Sequence, residues 1–166
     1  MLYLLDANVL IDANRDYYPL ERVPEFWEWL AHAGKNDRVK IPLEVYEEIK
    51  EGKDELTIWI KKDQNKKALL FQENVDVFLV SHVTDNGYAN DLSDDEVEKI
   101  GRDPFLVAYA LADNGNRCIV TTEVSKPSKQ RANRHLPDVC KDFNVKCFNT
   151  FQFVRDLNFS TGWKNS

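Results

Sequence analysis

At 166 residues, with 43% apolar and 30% charged side chains, the chain has the size and composition of one globular domain with a buried core. It contains no run of eighteen apolar residues, so no helix is expected to span a membrane, and Asp6 cuts the apolar opening Met1–Leu5 too short for a leader; a cytoplasmic location is expected. A net charge of −6 argues against a nucleic-acid coat held by electrostatics alone, but not against an enzyme that meets phosphates through bound cations.

Tyr3-Leu4-Leu5 is a short apolar run suited to a strand buried on both faces, and Ala7 to Ile11 then begins a helix. Pro24 opens a second helix with Phe26, Trp27 and Leu30 at helical spacing. Val39-Lys40-Ile41 reads as a strand, followed by a helix from Pro42 through Lys50 that Gly52 ends. Residues 54 to 88 are mainly helical, with one stripe of Leu56, Trp59 and Ile60 and another of Val75, Phe78, Leu79 and Val83. After the acidic stretch Leu92 to Lys99, Asp103-Pro104 starts an apolar helix reaching Ala112. Arg117 to Thr121 is the clearest strand, residues 125 to 136 form a basic loop, and Pro137 starts a short helix. Val145-Lys146-Cys147 reads as the last strand and Phe151 to Leu157 as the final helix.

Strands alternating with helices predict an α/β fold with a short, mostly parallel central sheet flanked by helices. One domain over residues 1–158 is expected, with a polar tail at 159–166 in which the order of Trp163 depends on docking. Trp27 and Trp59 fall on apolar stripes, whereas Trp29 is a candidate for exposure and partner contact. Cys118, Cys140 and Cys147 show neither zinc-ligand nor disulfide-framework spacing, so reduced thiols are expected.

Ligands of parallel sheets bind beyond the carboxyl ends of the strands. Asp6 follows the first strand and Glu123 follows the strand at 117–121; Asp103 opens a helix, and Glu44, Glu47 and Glu48 share another. Carboxylates from distant segments meeting at one edge repel one another unless a divalent cation sits among them. Taken singly, each acid has a plain alternative: Asp6 and Asp103 as helix caps, Glu123 as a solvated loop acid. On the helix at 42–50, Leu43, Val45, Tyr46 and Ile49 form the inward face and Glu44 points away toward solvent. Glu47 and Glu48 lie on opposite borders of that face, and geometry leaves them tied.

In order along the chain, Leu4-Leu5-Asp6-Ala7-Asn8-Val9-Leu10-Ile11, Val45-Tyr46-Glu47-Glu48-Ile49, Asp103-Pro104-Phe105-Leu106-Val107-Ala108-Tyr109-Ala110 and Ile119-Val120-Thr121-Thr122-Glu123 resemble the four motifs of PIN domains. Phe148 to Leu157 resembles the family's closing strand and helix. The chain is most similar to bacterial single-domain PIN-like proteins akin to VapC-type toxins. That resemblance implies a PIN-like three-layer sandwich over residues 1–158, and it favours Glu48 over Glu47. It also implies a Mg²⁺- or Mn²⁺-dependent endoribonuclease acting on an RNA substrate, with an antitoxin protein and a homodimer as partners. Asp6, Glu48, Asp103 and Glu123 are the implied metal and catalytic set. The sequence departs from the family in carrying Glu123 where Asp is usual, in the long helical segment between the second and third acids, and in the loop at 125–136.

Within that loop Lys126, Lys129, Arg131 and Arg134 are candidate phosphate contacts, with a solvated loop as the plain alternative. Asn8 and Thr121 are candidates for orienting a ligand carboxylate or a bound water. His32, His82 and His135 show no ligand spacing and receive no role. Three rivals share these features: a non-catalytic PIN-like interaction module, a DNA-cleaving nuclease, and a phosphoryl-transfer domain of receiver or phosphatase type. The last ranks lowest because no strand-end lysine is convincingly placed.

Overall fold

The computed structural model describes residues 1–165; Ser166, the last residue of the expected tail, lies outside them. Among the described residues four strands, β1 (Leu2–Leu5), β2 (Val39–Lys40), β3 (Arg117–Val120) and β4 (Lys146–Phe148), form one sheet in the order β2-β1-β3-β4. Every pair is parallel. Ile41, expected within the second strand, instead makes an isolated parallel bridge to Leu70, which covers the outer edge of β2.

Strand side chains alternate between two apolar clusters, as their period of two requires. Tyr3, Leu5, Cys118 and Val120 enter the first cluster, while Leu4 and Ile119 enter the second. The first is closed by helices α1 (Ala7–Asp12), α2 (Pro24–Lys35), α3 (Leu43–Lys50), α4 (Glu55–Lys61) and α5 (Asp63–Leu69), together with the C-terminal helix. The second is closed by α6 (Val77–Val83), α7 (Asp94–Ile100), α8 (Asp103–Leu111) and α9 (Leu136–Asp142). The C-terminal helix, α10 (Thr150–Asp156), buries Phe153 and Val154 in the first cluster. This is a three-layer, PIN-like α/β sandwich with β1 and β3 at its centre, and the apolar runs at 3–5 and 118–120 are continuous because helices cover both faces.

Several local expectations change. The stripe through Val75, Phe78, Leu79 and Val83 is not a core face: Phe78 is 82% exposed and Val83 alone in α6 is buried. Helix α6 starts at Val77 and packs beside α8, with Val77 and Phe78 left open to solvent. Trp29 is buried in the aromatic group of Phe26, Phe153 and Phe159. Trp163 docks, its indole N–H donating to the Glu25 carbonyl at 3.1 Å and its ring lying 4.9 Å from that of His32. Phe159 and Trp163 thus pack on α2 despite their polar surroundings. The cysteines are free thiols, with Cys118 and Cys140 buried.

No helix among the described residues is long and apolar enough to cross a membrane.

Candidate functional site

The carboxyl ends of β1 and β3 lie side by side because Leu5 pairs with Val120. The Asp6 amide donates to the Val120 carbonyl (3.0 Å) and the Thr121 amide to the Phe148 carbonyl (3.0 Å), so the rim of the sheet is fixed by backbone bonds. Asp6 occupies the N-cap position of α1, yet its side chain makes no capping bond. It turns toward β3, where the Thr121 hydroxyl donates to Oδ2 at 2.8 Å and in turn accepts from the Glu123 amide at 3.2 Å. Burial pushes the Asp6 carboxyl up to about 6; Thr121 opposes this, and the charges of Glu123 and Glu48 reinforce it.

Asp103 reaches the same place from the other layer. Helix α7 opens with a capping box between Ser93 and Glu96 and stops at Gly101, whose φ of 53° lies in the region that favours glycine, so the chain turns at once into α8. Asp103 is the first residue of α8 and does not cap it. Its Oδ2 accepts from the Tyr88 hydroxyl at 3.3 Å. Tyr88 ends a π-helical turn, Thr84–Tyr88, that follows α6. Burial pushes the Asp103 carboxyl up to about 8, with the charges of Asp6 and Glu123 adding to it. Burial likewise raises the Tyr88 phenol, which therefore remains a donor.

Of the glutamates on α3, Glu48 lines the cleft, with burial raising its carboxyl and the Arg102 charge opposing this. Glu47 pairs with Lys50 at 2.7 Å on the surface, which breaks the tie between the two. Glu44 is not fully solvated as expected: its Oε2 is buried without a hydrogen-bond partner, close to Tyr109 of α8. Leu43, expected on the inward face, is 46% exposed. Glu123 also differs from a loose loop acid. Its Oε2 accepts from the Leu136 amide at 2.7 Å at the start of α9, a reach for which the extra methylene of Glu over Asp is suited.

Asp6, Asn8, Glu48, Asp103 and Glu123 thus line one polar cleft of about 400 Å³, with Lys99 and Arg102 on its other wall. Thr121 lies buried behind it. Tyr88, Lys99, Arg102 and the placement of His135, whose Nδ1 is 3.8 Å from Glu123 Oε2, are site features that were not legible in the sequence. Gly101, a helix breaker, is the one signal in the sequence for the turn at 101–102 that brings Lys99, Arg102 and Asp103 to the strand ends.

Two of the four predicted phosphate contacts are engaged elsewhere. Arg131 pairs with Asp91 (2.6 Å) and Glu96 (2.8 Å), and Arg134 pairs with Asp142 (2.7 Å) and donates to the Gly87 carbonyl (2.6 Å). Asp138 accepts from the Ser125 hydroxyl and, at 2.7 Å, from the Lys126 amide. The loop is therefore pinned at both ends, contrary to a mobile solvated segment. Lys126 and Lys129 are exposed and make no side-chain bond among the described residues, and both face a groove that joins the acidic cleft through Lys99, Asp103 and Glu123.

The donor set of the cleft fits a hard divalent cation. It includes the buried carboxyls of Asp6 and Asp103, which hold protons more tightly than ordinary carboxyls because of burial and neighbouring negative charge. Among the described residues no group of three or more His, Cys, Asp or Glu side chains stands as a ready-made ligand shell. Mg²⁺ takes one or two carboxylates and fills the remaining positions with water and substrate oxygens.

Fold and cleft together define a three-layer α/β protein with an acidic pocket at the carboxyl ends of its two central strands. Residues 3–161 match a family described as Domain of unknown function (DUF4411), and the chain belongs to that family. No curated protein and no solved structure matches the chain at a significant level.

Proposed function

We propose that this chain is a cytoplasmic Mg²⁺- or Mn²⁺-dependent endoribonuclease of the PIN-domain kind. The observation that carries the proposal is the meeting of Asp6 and Asp103 in one cleft, with both carboxyls raised by burial and the Asp6 charge raising Asp103 further. Asp6 and Asp103 would hold the cation, with Glu48 at the mouth of the cleft and the free oxygen of Glu123 on the far side. A divalent cation held there supplies positive charge beside the scissile phosphate and favours ionisation of the attacking water. Thr121 and Tyr88 orient the two aspartates by donating to one oxygen of each, which leaves the other oxygen available. Asn8, exposed at the start of α1, is positioned to hold a water or a phosphate oxygen. No side chain is required as general base.

The four motifs support the PIN-domain reading, and their likeness to VapC-type toxins extends the proposal to a toxin of a toxin–antitoxin pair, with an antitoxin protein and a second copy of the chain as partners. The testing experiment incubates purified protein with a mixed RNA pool, with Mg²⁺ or Mn²⁺ and with chelator, beside Asp103→Asn. Metal-dependent cleavage that is absent from the variant is expected. Equal degradation by both proteins means a contaminant and overturns the reading. A parallel single-stranded DNA pool separates ribonuclease from deoxyribonuclease, and intact RNA in every arm leaves the non-catalytic interaction module.

A further inference from the structure

The groove beyond the acidic cleft has the opposite charge character. It shares Lys99, Asp103 and Glu123 with the cleft and continues past Lys126, Lys129 and His135. Four cations of the loop look equivalent in sequence, but their surroundings divide them. Arg131 and Arg134 are neutralised by carboxylates of the underlying helices and turns, so they brace the loop. Lys126 and Lys129 have no carboxylate partner among the described residues, and the Asp138 contact to the Lys126 amide fixes the backbone that carries them. Lys99 donates to Asn133 Oδ1 at 2.6 Å, a neutral acceptor, and makes no ion pair among the described residues. His135 adds a buried Nδ1 that has no hydrogen-bond partner among the described residues and lies 3.8 Å from Glu123 Oε2.

Two adjoining compartments of unlike charge suit a polyanion whose charges repeat along a chain. One phosphate meets the carboxylates only through a cation, while its neighbour meets ammonium groups directly. We infer that Lys99, Lys126 and Lys129 form a second phosphate subsite, occupied by the phosphate adjacent to the one at the acidic cleft in a bound single strand of RNA. The inference rests on the ribonuclease reading of the cleft. A mononucleotide ester reaches only one compartment, whereas a strand with two consecutive phosphates reaches both.

The test measures binding of a fluorescein-labelled single-stranded RNA by anisotropy over a range of salt concentrations. Full-length Asp103→Asn protein is used, so that cleavage does not intervene. Replacing Lys126 and Lys129 together by Ala should weaken binding about tenfold or more at low salt and flatten the slope of log affinity against log salt by about 0.7 per lost contact. Circular dichroism melting of the same variant should match its parent, because neither lysine makes a side-chain contact. Unchanged affinity and slope overturn the subsite. Cleavage by the otherwise native chain is scored separately. Lysine-dependent binding without any metal-dependent cleavage keeps the subsite and removes the nuclease, whereas native cleavage by the double lysine variant does the reverse.

Discussion

Asp6 and Asp103 are legible as special residues because each stands where the chain changes element, at a strand end and at a helix start. Their plain alternative is capping, and what marks both side chains is a contact beyond their own helices: Asp6 accepts from the Thr121 hydroxyl and Asp103 from the Tyr88 hydroxyl. Thr121 was open to either reading as an orienting or a turn residue, and its hydroxyl in fact joins Asp6 to the Glu123 amide. Tyr88 carried no readable signal, since a tyrosine after an apolar helix looks like core, and only the π-helical turn aims its hydroxyl at Asp103. Thr121→Val keeps the side-chain shape while removing that donor. It is expected to weaken Mn²⁺ binding by about 10- to 100-fold, as loss of a partner that orients a ligand does. Isothermal titration calorimetry measures this, and native affinity in the variant would show that Thr121 only shapes the turn.

At the level of elements, the strands at 2–5 and 117–120 and the helices after Pro24 and Asp103 follow from apolar runs and start signals that depend only on local sequence. Burial of α6 does not, because a stripe states which side chains share a face and not whether any layer covers it; Phe78 lies open to solvent. The loop at 125–136 shows the same limit for charge. Sequence reports four cations there, but their ion-pair partners, Asp91, Glu96 and Asp142, come from helices and turns folded against it. Side-chain bonds from Arg131 hold the Glu96 carboxyl low, to about 2, and Glu96 also closes the capping box of α7. Arg131→Ala should therefore free the loop and fray the start of α7 together. Limited proteolysis is expected to cut the variant faster between residues 125 and 136, with a lower Tm. Lys129→Ala serves as the comparison and should leave both unchanged. Equal cutting of the two variants would mean that the ion pairs do not brace the loop.

For the whole molecule, the three-layer arrangement brings two remote carboxyls to one rim, and the cost of that arrangement depends on pH. The folded-state pKa of each lies above its ordinary value of 3.8, at about 6 for Asp6 and about 8 for Asp103. Such groups favour the folded state fully below their ordinary pKa, and this contribution is lost as pH rises through the folded value. The metal-free chain should thus lose stability between about pH 4 and pH 8, at about 2–4 °C in Tm for each kcal/mol. Added Mn²⁺ competes with the protons, so its stabilising shift should grow across the same range. Differential scanning fluorimetry with and without chelator reads both trends. A Tm that ignores pH and metal alike would place the two carboxyls in ordinary surroundings.

The most direct measurement is a Mn²⁺ titration, followed by calorimetry or by electron paramagnetic resonance, of the native chain, Asp6→Asn, Asp103→Asn and the double variant. If the two aspartates share one cation, the native chain binds saturably, each single variant loses most of that affinity, and the double variant loses little more. Saturable binding that survives in Asp103→Asn, or losses that simply add, would contradict a shared site.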